Sequence, residues 1–517
     1  TLDGTLFPYT TLFRSTLGID AYIMEVEFDI AGGLPSFVIV GLPDASIRES
    51  RDRVHSAIEK PGMSFPMRQI TINLAPADIQ KEGSALDLPI AIGLLCGSGA
   101  IPVDRVKDAL FLGELALDGA VRSVSGVLPI ALKAKEKKIS ALYVPKDVAK
   151  EAAVVDSGPT VYPVGTLLEL IRHLNDDGAI QPEKVDVKSL FNRQSEYDVD
   201  FAEVKGQEHA KRAMEISAAG GHNVVMIGPP GSGKTMLAKR LPTILPALSL
   251  EEALETTKIH SIAGQLGNQP LIGTRPVRSP HHSISDAGLI GGGRHPRPGE
   301  VSLAHNGVLF LDELPEFSRA VLENLRQPLE DGVVTISRAA ATLTFPANFM
   351  LIAASNPCPC GYFGDSNKAC RCTPMQVQNY MSKLSGPLMD RIDIHIEVPS
   401  VKLDDLHLPP SGEPSKAVRE RVQRAREIQQ ARFAGTGLHS NADMTSRSMR
   451  EHCPMTPEAR DVLREGIERL GLSARAYDRI IKVARTIADL DGSDILRPTD
   501  IAEALQYRTL DRKLWMK

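Results

Sequence analysis

A phosphate-binding loop is the clearest chemical signal in the sequence. An apolar stretch that begins at Asn223 runs into GPPGSGKT, which fits the pattern GxxxxGK[ST]. Glycines let such a loop curl so that its backbone N–H groups point at phosphate oxygens. The lysine would then reach the β- and γ-phosphates of a nucleotide, and the threonine would ligate Mg²⁺. The predicted nucleotide-binding residues are Gly228, Pro229, Pro230, Gly231, Ser232, Gly233, Lys234 and Thr235.

Two acidic residues end the next strongly apolar stretch, GVLFLDE, which is typical of a buried strand. Asp312 would hold the Mg²⁺ together with Thr235. Glu313 would polarise the attacking water as a general base. Combined with the phosphate-binding loop, this pair predicts a site that hydrolyses ATP.

Three further positions fit an ATPase whose sites lie between subunits. Asn356 ends the apolar run MLIAASN and would position the water beside Glu313. Arg391 precedes a final apolar strand, and Arg475 and Arg479 lie on one predicted helix. An arginine from a neighbouring subunit stabilises charge on a γ-phosphate, although each arginine taken alone is more simply explained as a surface salt bridge.

Four of the six cysteines lie within NPCPCGYFGDSNKACRCT. Their spacing, CxC-x₉-CxC, supplies four thiolates, which are enough for a tetrahedral Zn²⁺ site, although one-residue spacing is tighter than usual. A disulfide or redox pair, and free cysteines that pack a loop, are the alternatives. The candidate zinc ligands are Cys358, Cys360, Cys370 and Cys372.

The composition places these groups in an ordinary soluble protein. The 517 residues are 42% hydrophobic and 24% charged, with a net charge of −5, so the chain lacks the overall basic character of a nucleic-acid-coating protein. The apolar runs are too short to span a bilayer, and no signal peptide is evident. Clustered cysteines in a long chain do not resemble a secreted disulfide framework. We therefore expect a cytoplasmic protein with no membrane partner.

The predicted fold class is α/β, in several parts. Residues 16–175 alternate strand-like and helix-like stretches and predict an α+β domain, and residues 176–200 predict a linker. Residues 201–400 predict the α/β nucleotide-binding core, which carries the cysteine-rich insertion 358–372. Residues 401–517 predict an all-α region, in which Thr456-Pro457 is a typical helix start.

The first fifteen residues are set aside from this prediction. The stretch TLFPYTTLFRS has no period and resembles the translation of a sequencing-adapter oligonucleotide. We expect residues 1–15 to be a non-native leader, and a disordered leader is the alternative.

The order of the motifs resembles one family. VKGQ, GPPGSGKT, LFLDE, SNP, LMDRID and LSARAY occur in the order found in AAA+ ATPases of the magnesium-chelatase-like branch. RPVRSPHHSISDAGLIGGG and NPCPCGYFGD are similar to the YifB/ComM group within that branch, and the resemblance covers nearly all of residues 16–510. It implies a ring hexamer with ATP at each subunit interface and a C-terminal helical lid. It also implies that Asn356 is sensor 1, Arg391 the arginine finger and Arg475 sensor 2, with Arg479 one turn later as the alternative.

The first domain resembles the proteolytic domain of Lon-type proteases through INLAPADIQKEGSALDLPIAIGLL and GELALDGAVRSVSGVLPIALKAKEK. Such proteases need a serine nucleophile and a lysine base within hydrogen-bond reach. The serine position falls on Ala85 and the lysine position near Leu128. We therefore expect a Lon-like fold without the chemistry, used for interaction, and Ser84 with Lys133 is the remaining alternative.

Nucleic-acid contacts have no strong signature. Arg326 and Arg338 bracket LEDGVVTIS, which predicts a β-hairpin with Asp331-Gly332 at its turn. In rings of this branch such insertions face the central channel, where cations would bind a DNA backbone without sequence preference, and solvated loop charge is the alternative. The adjacent His281 and His282 favour polar contacts over a metal site. The candidate cations are Arg275, Arg278, Arg294, Arg297, Arg326 and Arg338.

Four functions remain open from the sequence. The resemblance implies a ComM-like hexameric DNA helicase that promotes branch migration during natural transformation. The alternatives are an ATPase subunit that drives magnesium insertion into a porphyrin, a protein-remodelling ATPase and an ATP-dependent protease. The N-terminal domain argues against the magnesium-insertion subunit, which resembles only the middle and C-terminal parts. The missing serine–lysine pair argues against the protease.

Overall fold

The computed structural model describes residues 6–17, 19–76, 81, 83–187, 190, 197–267, 269–293, 296–337, 342–365, 368–400 and 412–510. The chain divides into two compact units. The first comprises Thr1–Arg193 with Ala253–Ile272, and the second comprises Gln194–Glu252 with Gly273–Lys517. No helix in these described ranges combines the length and the apolarity needed to cross a membrane.

A seven-stranded mixed sheet forms the centre of the first unit, with strand order β3-β4-β2-β1-β5-β8-β9. Its antiparallel pairs are β1–β2 and β2–β4, and its remaining neighbours run parallel. The mixed sheet confirms the α+β prediction for this part of the chain. The strands are β1 Leu6–Leu17, β2 Asp20–Ala31, β3 Ser36–Val40, β4 Gln69–Ala75, β5 Ala109–Phe111, β6 Glu114–Leu115, β7 Val121–Arg122, β8 Ala141–Pro145 and β9 Thr160–Val164.

Six helices accompany these strands within the described part of residues 1–193. The third, Asp87–Gly97, is apolar around most of its circumference and is buried from Asp87 to Leu95, as expected for a core helix. The helices are α1 Ala45–Arg48, α2 Ser50–Glu59, α3 Asp87–Gly97, α4 Val127–Glu136, α5 Ala149–Ala153 and α6 Leu167–Leu174.

Most of the N-terminal segment that the sequence analysis set aside is part of this sheet. Strand β1 pairs antiparallel with β2 and contacts β5 through the pair Leu12 and Leu110. It therefore lies between two strands, so its exclusion from the fold was wrong. The pairing with β5 joins residues far apart in the chain, so the local sequence of residues 6–17 could not show this neighbour. The proposed non-native origin of residues 1–15 stays an expectation, and residues 1–5 lie outside the described part.

A five-stranded parallel sheet forms the centre of the second unit, with order β11-β14-β17-β10-β18. Its strands β10, β14 and β17 are buried at every position, which explains why each is an unbroken apolar run in the sequence. The strands of this unit are β10 Val224–Ile227, β11 Val277–Arg278, β12 Gly291–Gly292, β13 Arg297–Pro298, β14 Val308–Leu311, β15 Val333–Ser337, β16 Thr342–Pro346, β17 Met350–Ser355 and β18 Ile394–Glu397.

One hydrophobic core joins the nucleotide-binding core to the C-terminal helices. Its members run from Phe201 to Tyr507 and include apolar residues of both regions. The predicted regions 201–400 and 401–517 therefore belong to one compact unit. The helices after α6 are α7 Glu208–Gly220, α8 Lys234–Arg240, α9 Leu250–Ala263, α10 Asp286–Ile290, α11 Glu300–Leu303, α12 Arg319–Asn324, α13 Arg326–Asp331, α14 Pro374–Met381, α15 Gly386–Met389, α16 Ser415–Arg432, α17 Ser446–His452, α18 Pro457–Leu470, α19 Ala474–Leu490 and α20 Pro498–Gln506.

Local signals account for two helix boundaries. The Thr456 side chain accepts a hydrogen bond from the Ala459 N–H, and Pro457 is the first residue of α18, so the predicted helix start is confirmed. The predicted hairpin turn at Asp331-Gly332 is wrong, because Gly332, at φ +66°, ends α13. A left-handed glycine suits a helix end as well as a hairpin turn. The hairpin instead joins β15 to β16, and its connection, residues 338–341, lies outside the described part.

Candidate nucleotide-binding site

The predicted phosphate-binding loop connects the buried strand β10 to helix α8. Gly233 immediately precedes the helix at φ +90°, a backbone conformation that side chains other than glycine rarely adopt. Ser232 and Lys234 are both buried beside it. The strand–loop–helix context that the sequence motif requires is therefore present.

The Lys234 ammonium group lies inside this loop. Its Nζ donates to the carbonyl oxygens of Gly228 and Pro229, at 2.8 and 2.9 Å, and lies 3.3 Å from Asn356 Oδ1. Burial lowers the pKa of Lys234, and the charges of Asp312 and Glu313 oppose that shift. An ammonium group placed among acceptors at this loop suits the binding of phosphate oxygens.

Thr235 and Asp312 meet at the candidate Mg²⁺ position. Thr235 Oγ1 donates to Asp312 Oδ2 at 2.8 Å. A hydroxyl and a carboxylate are the hard oxygen ligands that Mg²⁺ prefers, so these residues fit the metal. Because β10, β14 and β17 are parallel neighbours, their carboxyl ends lie at one edge of the sheet, and this edge brings Thr235, Asp312 and Asn356 together.

Glu313 has an unusual backbone and an unforeseen neighbour. Its φ is +54°, and its N–H donates to Asp312 Oδ1 at 3.0 Å. Its side chain is 53% exposed, and its Oε2 lies 3.6 Å from His282 Nδ1. The sequence indicated polar contacts for His282 but gave no partner, since the two residues are far apart in the chain. His282 is thus a further residue of the candidate site.

The three candidate arginines occupy different environments. Arg391 is buried, and its guanidinium donates to the Pro387 carbonyl at 2.7 Å and to the Glu330 carboxylate. Arg475 is exposed in the first turn of α19, whereas Arg479 forms an ion pair with the fully buried Asp393 at 3.0 Å. Within the described residues, none of these arginines hydrogen-bonds to the phosphate-binding loop. Their predicted roles would therefore need a bound nucleotide or a neighbouring subunit.

Three of the six candidate DNA-binding arginines already have carboxylate partners. Arg275 pairs with Glu252 at 3.0 Å, Arg278 with Glu300 at 2.6 Å and Arg326 with Glu323 at 2.8 Å. A paired arginine contributes little net charge to a DNA-binding surface. Arg297, on β13, is exposed. Arg294 and Arg338 lie outside the described residues.

The alternative protease pair is not assembled. The Ser84 hydroxyl donates to the Glu114 carboxylate. Lys133 Nζ instead binds both oxygens of Glu136, at 2.7 and 2.8 Å. A serine nucleophile needs the lysine within hydrogen-bond reach, so this geometry does not activate Ser84.

Family comparisons agree with the motifs over most of the chain. The model described as "Magnesium chelatase, subunit ChlI" matches residues 200–406, "Subunit ChlI of Mg-chelatase" matches residues 26–148, and "Magnesium chelatase, subunit ChlI C-terminal" matches residues 412–508. Competence protein ComM of Haemophilus influenzae is 44% identical over 503 residues, which cover 97% of each chain. The chain belongs to the YifB/ComM family. YifB of Escherichia coli is likewise 44% identical over 511 residues, 97% of each chain.

Membership of this family places the chain among magnesium-chelatase-like AAA+ ATPases, for which ATP and Mg²⁺ are the expected ligands. The magnesium-chelatase 67 kDa subunit of Chlorobaculum parvum is a partial relative, 28% identical over 163 residues, which is 31% of this chain and 23% of that subunit. The match to residues 26–148 also carries a chelatase description, so the expectation that the N-terminal domain argues against a chelatase role was wrong. The likeness of that domain to Lon stays a prediction.

Proposed function

We propose that this chain is a ring-forming, ATP-hydrolysing DNA motor of the ComM type, which exchanges strands at branched DNA during recombination and natural transformation. The meeting of Lys234, Thr235, Asp312 and Asn356 at the ends of three neighbouring strands carries the proposal of ATP hydrolysis. Bound Mg²⁺ would supply charge neutralisation on the phosphates. We place the protein in the cytoplasm, where its DNA substrate would be available.

Each residue of the site has a distinct role in this proposal. Lys234 binds the β- and γ-phosphates, and Thr235 with Asp312 holds the metal. Glu313 accepts a proton from the attacking water, and its partly exposed carboxylate is open to that water. Asn356 orients the same water. Phosphoryl transfer depends mainly on such positioning and charge stabilisation, so small displacements of these groups are costly.

The ring follows from Arg391. An arginine finger acts on the nucleotide of a neighbouring subunit, and every subunit has such a neighbour when the assembly closes into a ring, so we propose a homohexamer. In a single chain the Arg391 guanidinium is held by Glu330, at the end of α13. That contact keeps the side chain ordered before assembly, and ATP binding by a neighbour would compete for it.

The β15–β16 hairpin is our candidate for the contact with DNA. Its inward positions Val334, Ile336, Leu343 and Phe345 are buried, whereas Thr335, Ser337, Thr342 and Thr344 are exposed. The exposed hydroxyl groups form cross-strand pairs, with Ser337 Oγ at 2.9 Å from Thr342 Oγ1. Serine and threonine side chains commonly contact DNA phosphates, and such contacts are independent of base sequence. A surface of this kind suits a motor that moves along any sequence.

The decisive experiment measures ATP turnover by the full chain alone and with single-stranded, duplex or branched DNA. Strand displacement is then followed on three-way and four-way junctions. We expect DNA to stimulate turnover and branched substrates to be resolved. Glu313→Gln should bind ATP but hydrolyse almost none, since the amide cannot accept the proton. Wild-type turnover by that variant would show that Glu313 is not the base.

A chelatase-type ATPase is the second candidate, favoured by the three family descriptions and by the partial relative from Chlorobaculum parvum. Both candidates use the same ATP site, so the response to DNA separates them. Turnover that is unaffected by any DNA, together with no displacement at junctions, would contradict the DNA motor and favour the chelatase-type role.

A further inference from the structure

Four cysteine thiols converge between β17 and α14. The Sγ atom of Cys358 lies 3.4 Å from that of Cys360 and 3.7 Å from that of Cys370, and Cys360 and Cys370 are 3.6 Å apart. The Sγ atom of Cys372 completes a group whose four sulfurs all lie within 4.8 Å of one another. Among the described residues, this is the one group of three or more His, Cys, Asp or Glu side chains that are placed closely enough to hold a metal ion.

The spacing distinguishes the alternatives that the sequence left open. A disulfide holds its sulfurs about 2.05 Å apart, so none of the three measured pairs is bonded. Four thiolates at about 2.3 Å from a central Zn²⁺ lie about 3.8 Å from one another in a tetrahedron. The measured separations are close to that value. If these cysteines only packed a loop, their four sulfurs would not be expected to converge on one point.

The backbone around the thiols supports the same geometry. The Gly361 N–H donates to the Cys358 carbonyl at 2.9 Å, which closes a tight turn between the first two cysteines. The Cys372 N–H lies 3.4 Å from Cys370 Sγ. Backbone N–H groups directed at sulfur orient and stabilise thiolate ligands. Four thiolates without an oxygen or nitrogen ligand are typical of a structural zinc site rather than a catalytic one.

The turn that holds these cysteines also contacts the phosphate-binding loop. Gly361 has φ +85°, and a Cβ atom at this residue would lie 2.5 Å from Pro230 Cδ. Cys358 is fully buried two residues after Asn356, whose Oδ1 lies 3.3 Å from Lys234 Nζ. The cysteine turn therefore packs against Pro230 of the phosphate-binding loop. It also follows Asn356 directly in the chain, and Asn356 lies beside Lys234 of the same loop.

We propose that Cys358, Cys360, Cys370 and Cys372 bind one structural Zn²⁺ that braces the nucleotide site. By fixing the turn, the metal holds Pro230 and Asn356 in fixed positions relative to each other. Metal loss or thiol oxidation would then reduce ATP turnover. The bracing role rests on the proposed ATP hydrolysis, whereas metal binding does not.

Metal content tests the site directly. The full chain, purified under reducing conditions and dialysed against metal-free buffer, should retain about one equivalent of zinc per chain. Cys370→Ser with Cys372→Ser should remove nearly all of it, because both ligands are lost. Cys96→Ser and Cys453→Ser are matched controls that change thiols outside the group and should keep the zinc. Zinc well below one equivalent in the wild type, or full zinc in the double variant, would overturn the site.

Cobalt gives a readout that does not depend on activity. Co²⁺ added to the zinc-free wild-type chain should produce the visible absorption bands of a tetrahedral thiolate complex, and the double variant should produce none. Wild-type protein without these bands would also contradict four-cysteine coordination.

The bracing role needs a variant that keeps the metal. Gly361→Ala retains every thiol but adds a methyl group against Pro230 at a left-handed position. This variant should keep its zinc, and its rate of ATP turnover should fall about tenfold or more. A loss of this size is typical when a group that orients the residues of a site is disturbed. Full zinc with wild-type turnover in this variant would refute bracing. A wild-type chain that binds zinc but never hydrolyses ATP would instead refute the proposed function.

Discussion

The ion pair between Arg479 and Asp393 makes a quantitative prediction. Both side chains are in the second unit, and Asp393 is fully buried beside His222 and the Asn223 N–H. Arg479→Met removes the cation but keeps a side chain of similar length. Leaving a buried carboxylate without its partner costs about 3–5 kcal/mol. For a unit of about 300 residues, with an unfolding entropy of about 2.1 cal/mol/K per residue, this loss corresponds to a fall in Tm of about 5–8 °C.

The pH dependence of that loss follows from the pKa of Asp393. Burial acts to raise this pKa, but the Arg479 charge, His222 and the Asn223 N–H outweigh burial and hold it well below its usual range. The wild type therefore keeps the stabilisation above about pH 4, the unfolded pKa, and loses it only as pH falls further. In Arg479→Met burial is no longer offset by a cation, so the pKa rises. The penalty should be largest near pH 8 and shrink toward pH 5, as the carboxylate takes up a proton.

Calorimetry at pH 8, 7, 6 and 5 measures both effects. Arg475→Met is the matched control, because Arg475 is on the same helix one turn earlier and is exposed. Its stability should stay within about 0.5 kcal/mol of the wild type, while its ATP turnover should fall if it is sensor 2. Adding Asp393→Asn to Arg479→Met should recover part of the loss, since the orphan charge is removed. Equal stability of the two single variants, or a penalty that grows at low pH, would refute the reasoning.

Three further predictions concern the site and the hairpin. His282→Gln should lower ATP turnover about tenfold without weakening nucleotide binding, because His282 lies 3.6 Å from the Glu313 carboxylate; turnover and fluorescent-nucleotide titration measure the two effects. Arg391→Ala mixed with Glu313→Gln should hydrolyse more ATP than either variant alone, since each subunit supplies what its neighbour lacks; no recovery on mixing would contradict a finger acting in trans. Thr335→Ala with Thr344→Ala should weaken the stimulation by DNA while leaving basal turnover intact, and an unchanged DNA response would argue against the hairpin contact.

The sequence predicted that the residues of the candidate site would lie together where each of them directly follows a buried parallel strand. Asp312 and Asn356 each follow an unbroken apolar run, and such runs become buried parallel strands. Because parallel strands end at the same edge, residues after different strands meet near Thr235. An apolar run in the local sequence therefore predicts that the residue after it joins a cluster of residues from distant parts of the chain. The same reasoning explains why the fold class could be predicted for the second unit.

Side-chain partners could not be predicted in the same way. Nothing in the local sequence relates His282 to Glu313, or Arg479 to Asp393, since each contact joins distant parts of the chain. Helix periodicity placed Arg475 and Arg479 on one face, but it could not show that Arg475 is exposed whereas Arg479 is partly buried against Asp393. Strand β1 was missed for a related reason, because its parallel neighbour β5 lies far away in the chain.

The buried ion pair also relates the two arginines that are predicted to act on ATP. Asp393 lies two residues after Arg391, and the Asn223 side chain donates to the Arg391 carbonyl at 3.3 Å while its N–H donates to Asp393 at 2.9 Å. Arg479, one turn after Arg475, joins the same carboxylate from helix α19. The segment that carries the predicted finger and the helix that carries the predicted sensor 2 are therefore fixed to a common buried charge.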